Sequence, residues 1–134
     1  MKKLVFYIAL GTSLFQQQSS KSQTRPPWNT PPVCSSLCNP LKPDPSSLKE
    51  AKTLYMNTCG PCHGEKGKGD GVGALACNPS PADHTSDYVQ KETDGSLYWK
   101  ISEGKGSMPS YKNMLTEKQR WELVSYIRTL KGKK

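Results

Sequence analysis

The stretch Cys59-Gly60-Pro61-Cys62-His63 decides how the rest of the chain is read. Two thiols three positions apart, followed at once by an imidazole, have the Cys-x-x-Cys-His form of a c-type haem attachment site. The thiols can add across the two vinyl groups of one haem, and the histidine then lies beneath the iron with an axial nitrogen. A thioredoxin-like redox pair shares the Cys-x-x-Cys core but wants a strand before it, and no alternating apolar run precedes Cys59. Half of a zinc site needs a second close ligand pair, and the nearest candidates, Cys77 and His84, lack that spacing. The motif therefore predicts one covalent haem c, held by Cys59 and Cys62, with His63 on its iron.

An iron with one protein nitrogen needs a second axial donor unless it is to bind a gas or a substrate. Met108 is the candidate, in Gly106-Ser107-Met108-Pro109. Pro109 lacks a backbone donor and disfavours helix at the residue before it, so Met108 is expected in an extended loop that can cross the far face of the ring. Met56 precedes Cys59 by three residues on the same expected helix and cannot reach that face. Met114 is expected to pack in the core, the usual use of methionine. His84 would give a bis-histidine iron, but a histidine in a polar loop is expected to be solvated. A His63/Met108 pair fills both axial positions. Its soft thioether favours the ferrous state, which suits one-electron transfer and argues against oxygen activation.

The chain of 134 residues is long enough for one small domain and a leader. Its hydrophobic fraction of 34% is low for a conventional core and agrees with a core filled by a large apolar cofactor. Lys2 and Lys3 followed by the apolar run Leu4 to Phe15 read as an export signal over residues 1–22. The run is shorter than the roughly 20 residues of a membrane span. No small-x-small cleavage pattern stands out in residues 16–22, so the cut position and an uncleaved anchor both stay open. The net charge of +8 falls to +5 without Lys2, Lys3 and Lys21. Lys66, Lys68 and Lys105 lie in loops expected to frame the haem edge, where they would steer an acidic redox partner; the bland alternative is a solvated surface. Aromatic residues do not interleave with the basic ones, which argues against nucleic acid.

Residues 23–45 carry seven prolines, Pro26, Pro27, Pro31, Pro32, Pro40, Pro43 and Pro45, and read as an irregular arm without regular helix. The arm either packs along the domain, with Trp28 as an anchor, or spaces it from a membrane. The domain proper is expected over 46–134. Its first helix should begin at Ser47, with Glu50 at capping-box spacing, and Leu48, Ala51, Leu54 and Tyr55 form its apolar stripe. The glycine-rich run from Gly64 to Gly73 has Asp70 where a phosphate loop needs lysine, so it reads as a loop against the haem. The carbonyl of Pro79 or Pro81 is expected to accept the free N–H of His63. A middle helix is predicted over about 94–103 with Asp94 as cap, and Leu97 and Ile101 toward the haem. The last helix should start at Thr116, boxed with Gln119, and bury Trp121, Val124, Ile127 and Leu130. Tyr98 and Trp99 are expected to pack at the haem edge, with a propionate bond as the alternative. No strand signal is convincing.

Cys34, Cys38 and Cys77 are spare thiols, and in an exported chain a disulfide is expected. Cys38 and Cys77 share a Cys-Asn-Pro context and form the favoured pair, with Cys34–Cys77 and Cys34–Cys38 as rivals.

The stretch from Thr93 to Tyr111 and the ending Gln119 to Arg128 resemble small bacterial monohaem proteins of the class I cytochrome c family. So do Cys62-His63-Gly64 through Gly69-Asp70-Gly71 and the run Pro79 to Asp83, and the resemblance covers residues 46–130. It implies an all-α fold of three to five helices wrapped around the haem, with haem attached outside the cytoplasm. It also implies an electron carrier, not an enzyme, working with redox protein partners in a respiratory chain. Crossing of the first and last helices makes Tyr55 and Tyr126 candidates for that contact. The alternatives are a fixed haem subunit of a membrane respiratory complex, and a haem enzyme or gas sensor with a labile Met108. Membrane association would come through the N-terminus or a partner complex.

Overall fold

A proline can open a helix, because the first helical N–H has no partner inside the helix to lose. Two of the arm's prolines sit at such positions in the computed structural model, which describes residues 27–132. Pro32 opens a single turn, α1 (Pro32–Ser35), and Pro45 opens α2 (Pro45–Thr58). The arm is thus not free of helix. The start of α2 also corrects the expected cap. Asp44 is the N-cap: its Oδ1 accepts the Ser47 N–H at 2.9 Å, and Ser47 Oγ accepts the Asp44 N–H at 2.9 Å. Ser47 closes the capping box from inside the helix.

Four more helices follow: α3 (Gly60–His63), α4 (Asp87–Gln90), α5 (Asp94–Glu103) and α6 (Glu117–Arg128), with one 3-10 turn at Ala74–Ala76. Among the described residues there is no strand, and the fold is all-α as expected. None of these helices is long and apolar enough to cross a membrane. The cap of α5 is Thr93, which accepts the Ser96 N–H at 3.1 Å. Asp94 takes the next position and binds Arg128 of α6 at 2.8 Å, so it serves tertiary packing rather than capping. The Thr116/Gln119 box at the start of α6 forms as its spacing predicts.

Helices α2 and α6 cross, and the rings of Tyr55 and Tyr126 meet there with centroids 5.0 Å apart. Trp121, Val124, Ile127 and Leu130 are buried as their periodicity indicates. Burial goes further, because Arg120, Glu122, Leu123 and Ser125 are covered as well. The arm accounts for part of this: Asn39 donates from Nδ2 to Ser125 Oγ at 2.9 Å and to the Trp121 carbonyl at 3.3 Å. At α5 the arm comes closer still. A Cβ on Gly95 would lie 2.1 Å from the Cys34 carbonyl, so only glycine lets α1 seat there. The arm therefore packs along the domain, with Trp28 edge-on to Trp99 at 6.2 Å.

Tyr111 ties the loop after α5 back to α2, donating to the Thr58 carbonyl at 2.9 Å. Burial first, and in the haem-free chain then the ionising Cys59 and Cys62 thiols, pushes its phenol up to about 12. A raised folded-state value favours the neutral phenol, so its stabilisation is complete below the ordinary value of 10.0 and is lost as pH rises toward about 12. Denaturant midpoints measured at about pH 9 and about pH 11 are expected to fall between the two, and Tyr111→Phe should shrink that fall. Equal falls in parent and variant would assign the alkaline loss to other groups.

Candidate functional site

The last turn of α2 ends at Cys59, whose N–H still donates to the Tyr55 carbonyl at 2.8 Å. The chain then bends, and Pro61 near the start of α3 begins a new turn that needs no donor there. The His63 N–H closes that turn on the Cys59 carbonyl at 2.8 Å. Cys59, Cys62 and His63 thereby come to one wall of a cavity of about 170 Å³. Met108 lines the same cavity from the loop after α5. That loop is a tight turn in which Lys105 and Met108 exchange both backbone hydrogen bonds, at 2.9 and 3.0 Å. Gly104, at φ +67°, holds it against α5; a Cβ there would meet the Met108 carbonyl at 2.6 Å. Leu97, Ile101, Val89 and Ile127 supply apolar wall, as expected for the first two.

His63 donates from Nδ1 to the Ala82 carbonyl at 2.9 Å, and a metal held by this ring would take Nε2. This corrects the expectation of Pro79 or Pro81. The acceptor has shifted by one residue from the second of them, because the loop's register is set by other contacts, such as the His84 N–H on the Gly67 carbonyl at 2.6 Å. Burial pushes the Cys59 thiol up to about 11, and the bond from Thr58 only partly offsets this. Cys62 is also raised, by burial and then by the adjacent Cys77 thiol. Both are neutral thiols at neutral pH in the haem-free chain, the form that adds as S–H across a carbon–carbon double bond.

Other residues stand where the sequence did not place them. His84 is buried, not solvated: its ring stacks on His63 with centroids 4.0 Å apart, and its Nδ1 lies 2.9 Å from Tyr55 Oη. Cys77 turns toward the cavity, its Sγ 3.7 Å from Cys62 Sγ, and the described cysteines form no disulfide. The expected Cys38–Cys77 bridge is absent because Cys38 is exposed on the arm while Cys77 faces the cavity. Tyr98 stacks on Trp121 at 4.0 Å instead of reaching the cavity edge, and Met114 is 66% exposed instead of core. Trp28 was legible as an anchor, but not as cavity wall. It lines the cavity beside Glu92, Lys100 and Lys105, with both lysine ammoniums over its ring at 5.5 and 5.7 Å. No local signal could have placed an arm residue there.

Two thiols, an imidazole nitrogen and a thioether around one apolar cavity, in an all-helical fold, define a c-type cytochrome domain. The chain belongs to the family described as cytochrome c oxidase, cbb3-type, subunit III, whose profile matches residues 46–127. It accordingly carries covalently bound haem c with iron and works in haem-based electron transfer. Among solved structures it is similar to a chain of the reducing HAO-like protein complex of Kuenenia stuttgartiensis, with 27% identity and a TM-score of 0.60. That alignment covers 81% of this chain and 52% of the other, so the chain spans about half the length of that relative. No curated protein sequence matches the chain.

Proposed function

We propose that Cys59 and Cys62 hold the haem, that His63 and Met108 ligate its iron, and that the domain passes single electrons between redox proteins outside the cytoplasmic membrane, without substrate turnover. The observation that carries this reading is the convergence of all four side chains on one cavity. Bound haem supplies an iron that takes up and releases one electron. The residues do the rest. Ala82 fixes the His63 tautomer and makes Nε2 a stronger donor. The Lys105–Met108 turn presents the thioether, and the apolar walls keep water from the iron.

Val72 and Leu75 stand fully exposed on the segment that runs beside Cys62, where a partner would meet the haem edge. Lys66 is exposed as well. Lys68 donates to Thr85 Oγ1 at 3.1 Å, and Lys105 to the Pro27 carbonyl at 3.2 Å, so these two ammoniums are held in place as well as charged. Of these lysines Lys105 lines the cavity; a basic group there suits an acidic partner, and electron transfer to it should slow as salt rises. A second reading is a fixed subunit of a larger respiratory complex. The family's description as an oxidase subunit and the kinship to a protein complex favour it. Co-purification with a membrane complex would select it over a mobile carrier.

The optical spectrum of the dithionite-reduced holoprotein tests the site, with and without carbon monoxide. The expected result is a low-spin c-type spectrum that the gas leaves unchanged. A spectrum that shifts with the gas would replace the carrier by a ligand-binding haem protein, with Met108 labile or absent from the iron.

A further inference from the structure

His84 is a buried ring in the cavity wall to which the electron-transfer chemistry above gives no part. Its surroundings hold it from every side. The backbone N–H donates to the Gly67 carbonyl at 2.6 Å. Its carbonyl accepts from Gln90 Nε2 at 2.7 Å, and the same amide reaches the Ile127 carbonyl at 2.9 Å. Its Nδ1 is hydrogen-bonded to Tyr55 Oη at 2.9 Å, and Tyr55 is wholly buried against Tyr126. Held in this way, the imidazole lies nearly flat on His63, with ring planes 18° apart and centroids 4.0 Å apart.

A hydrogen bond and a flat contact constrain a ring differently. The Ala82 carbonyl fixes the direction of His63 Nδ1, yet the ring can still swing about the line from that bond to the metal. A second ring pressed flat on its face opposes the swing. In the loaded protein the plane of an axial imidazole would set which of the iron's d orbitals it overlaps, so a held plane would bias the orientation of the orbital that carries the unpaired spin.

We propose that His84 is a positioning residue: braced by Tyr55, it sets the ring plane of His63 and through it the orientation of the iron's unpaired electron in the ferric state. The proposal rests on the reading of His63 as the axial ligand. It is particular to the Tyr55–His84–His63 stack and does not involve Met108.

The test uses the ferric holoprotein and its His84→Ala, His84→Phe and Tyr55→Phe variants. The readouts are the proton NMR shifts of the haem methyl groups, which follow the orientations of both axial ligands and so move with the His63 plane when the Met108 side is unchanged, and the midpoint potential. His84→Ala is expected to change the order or spread of the methyl shifts and to move the potential. His84→Phe should restore most of the parental pattern by restoring a flat ring. Tyr55→Phe, which loses only the brace, should shift the pattern by less than His84→Ala. A folded, low-spin His84→Ala protein with the parental pattern and potential overturns the proposal, as does a phenylalanine variant no nearer the parent than alanine. Where His84→Ala does not load haem, Tyr55→Phe decides: a moved pattern supports the brace and an unmoved one overturns it. A parent protein without a low-spin, histidine-ligated haem would instead overturn the ligation itself.

Discussion

Met108→Ala is expected to give a folded, haem-loaded protein whose ferrous form takes up carbon monoxide where the parent takes up none. The thioether is the proposed occupant of the sixth position. The Lys105–Met108 turn that carries it is held by backbone bonds that alanine keeps. The turn should therefore survive while the donor is lost. The ferric spectrum should lose its weak sulfur-to-iron band at the red end. The midpoint potential should fall, since a soft thioether favours the ferrous state. Met108 is only partly buried, so the stability cost should lie near the low end for methionine-to-alanine changes, about 2 kcal/mol. Carbon monoxide titration of the reduced variant is the check. A variant as inert as the parent would remove Met108 from the iron.

The paired change Cys59→Ser and Cys62→Ser should have the larger effect on the whole molecule. No haem should remain attached after denaturation, because hydroxyls do not form the thioether links. The chain would then keep a cavity of about 170 Å³ at its centre. Leu97, Ile101 and Val89, which line it, would face that opening without the apolar plate that covers them in the loaded protein, a loss on the order of a few kcal/mol. Domains of this size have total stabilities of roughly 5–15 kcal/mol, so much of the margin disappears. Circular dichroism should show a large drop in melting temperature, with Leu97, Ile101 and Val89 exchanging amide protons faster. A variant as stable as the haem-loaded parent would mean that the cavity collapses without cost and that the haem is not part of the core.

Much of the site was legible because its logic is covalent or periodic. The spacing of Cys59, Cys62 and His63 is a chemical constraint on one cofactor and survives any change in the surrounding fold. Met108 stood out through Pro109, a backbone effect confined to neighbouring residues. Leu97 and Ile101, four apart on α5, had to share a face, and so did Trp121 and Val124 on α6. Helix ends were less legible. Asp44 and Ser47, like Thr93 and Asp94, offer competing oxygens within three residues, and the chain outside the helix chooses between them.

His84, Ala82, Cys77 and Trp28 needed the tertiary structure. His84 has a polar local sequence that looks solvated, and its burial comes from Tyr55, 29 positions away on α2. Trp28 reaches the cavity only because Gly95 lets the arm lie against α5 and Asn39 bonds to α6. The sequence by itself determined the cofactor, the candidate donors and the helical class, since each follows from spacing along the backbone. Which carbonyl orients His63, which ring lies on it and which arm residue walls the cavity were decided only in three dimensions. Those contacts join segments whose separation along the chain carries no information about their approach, and each forms only once the α2–α6 crossing and the packed arm have fixed the loops between them.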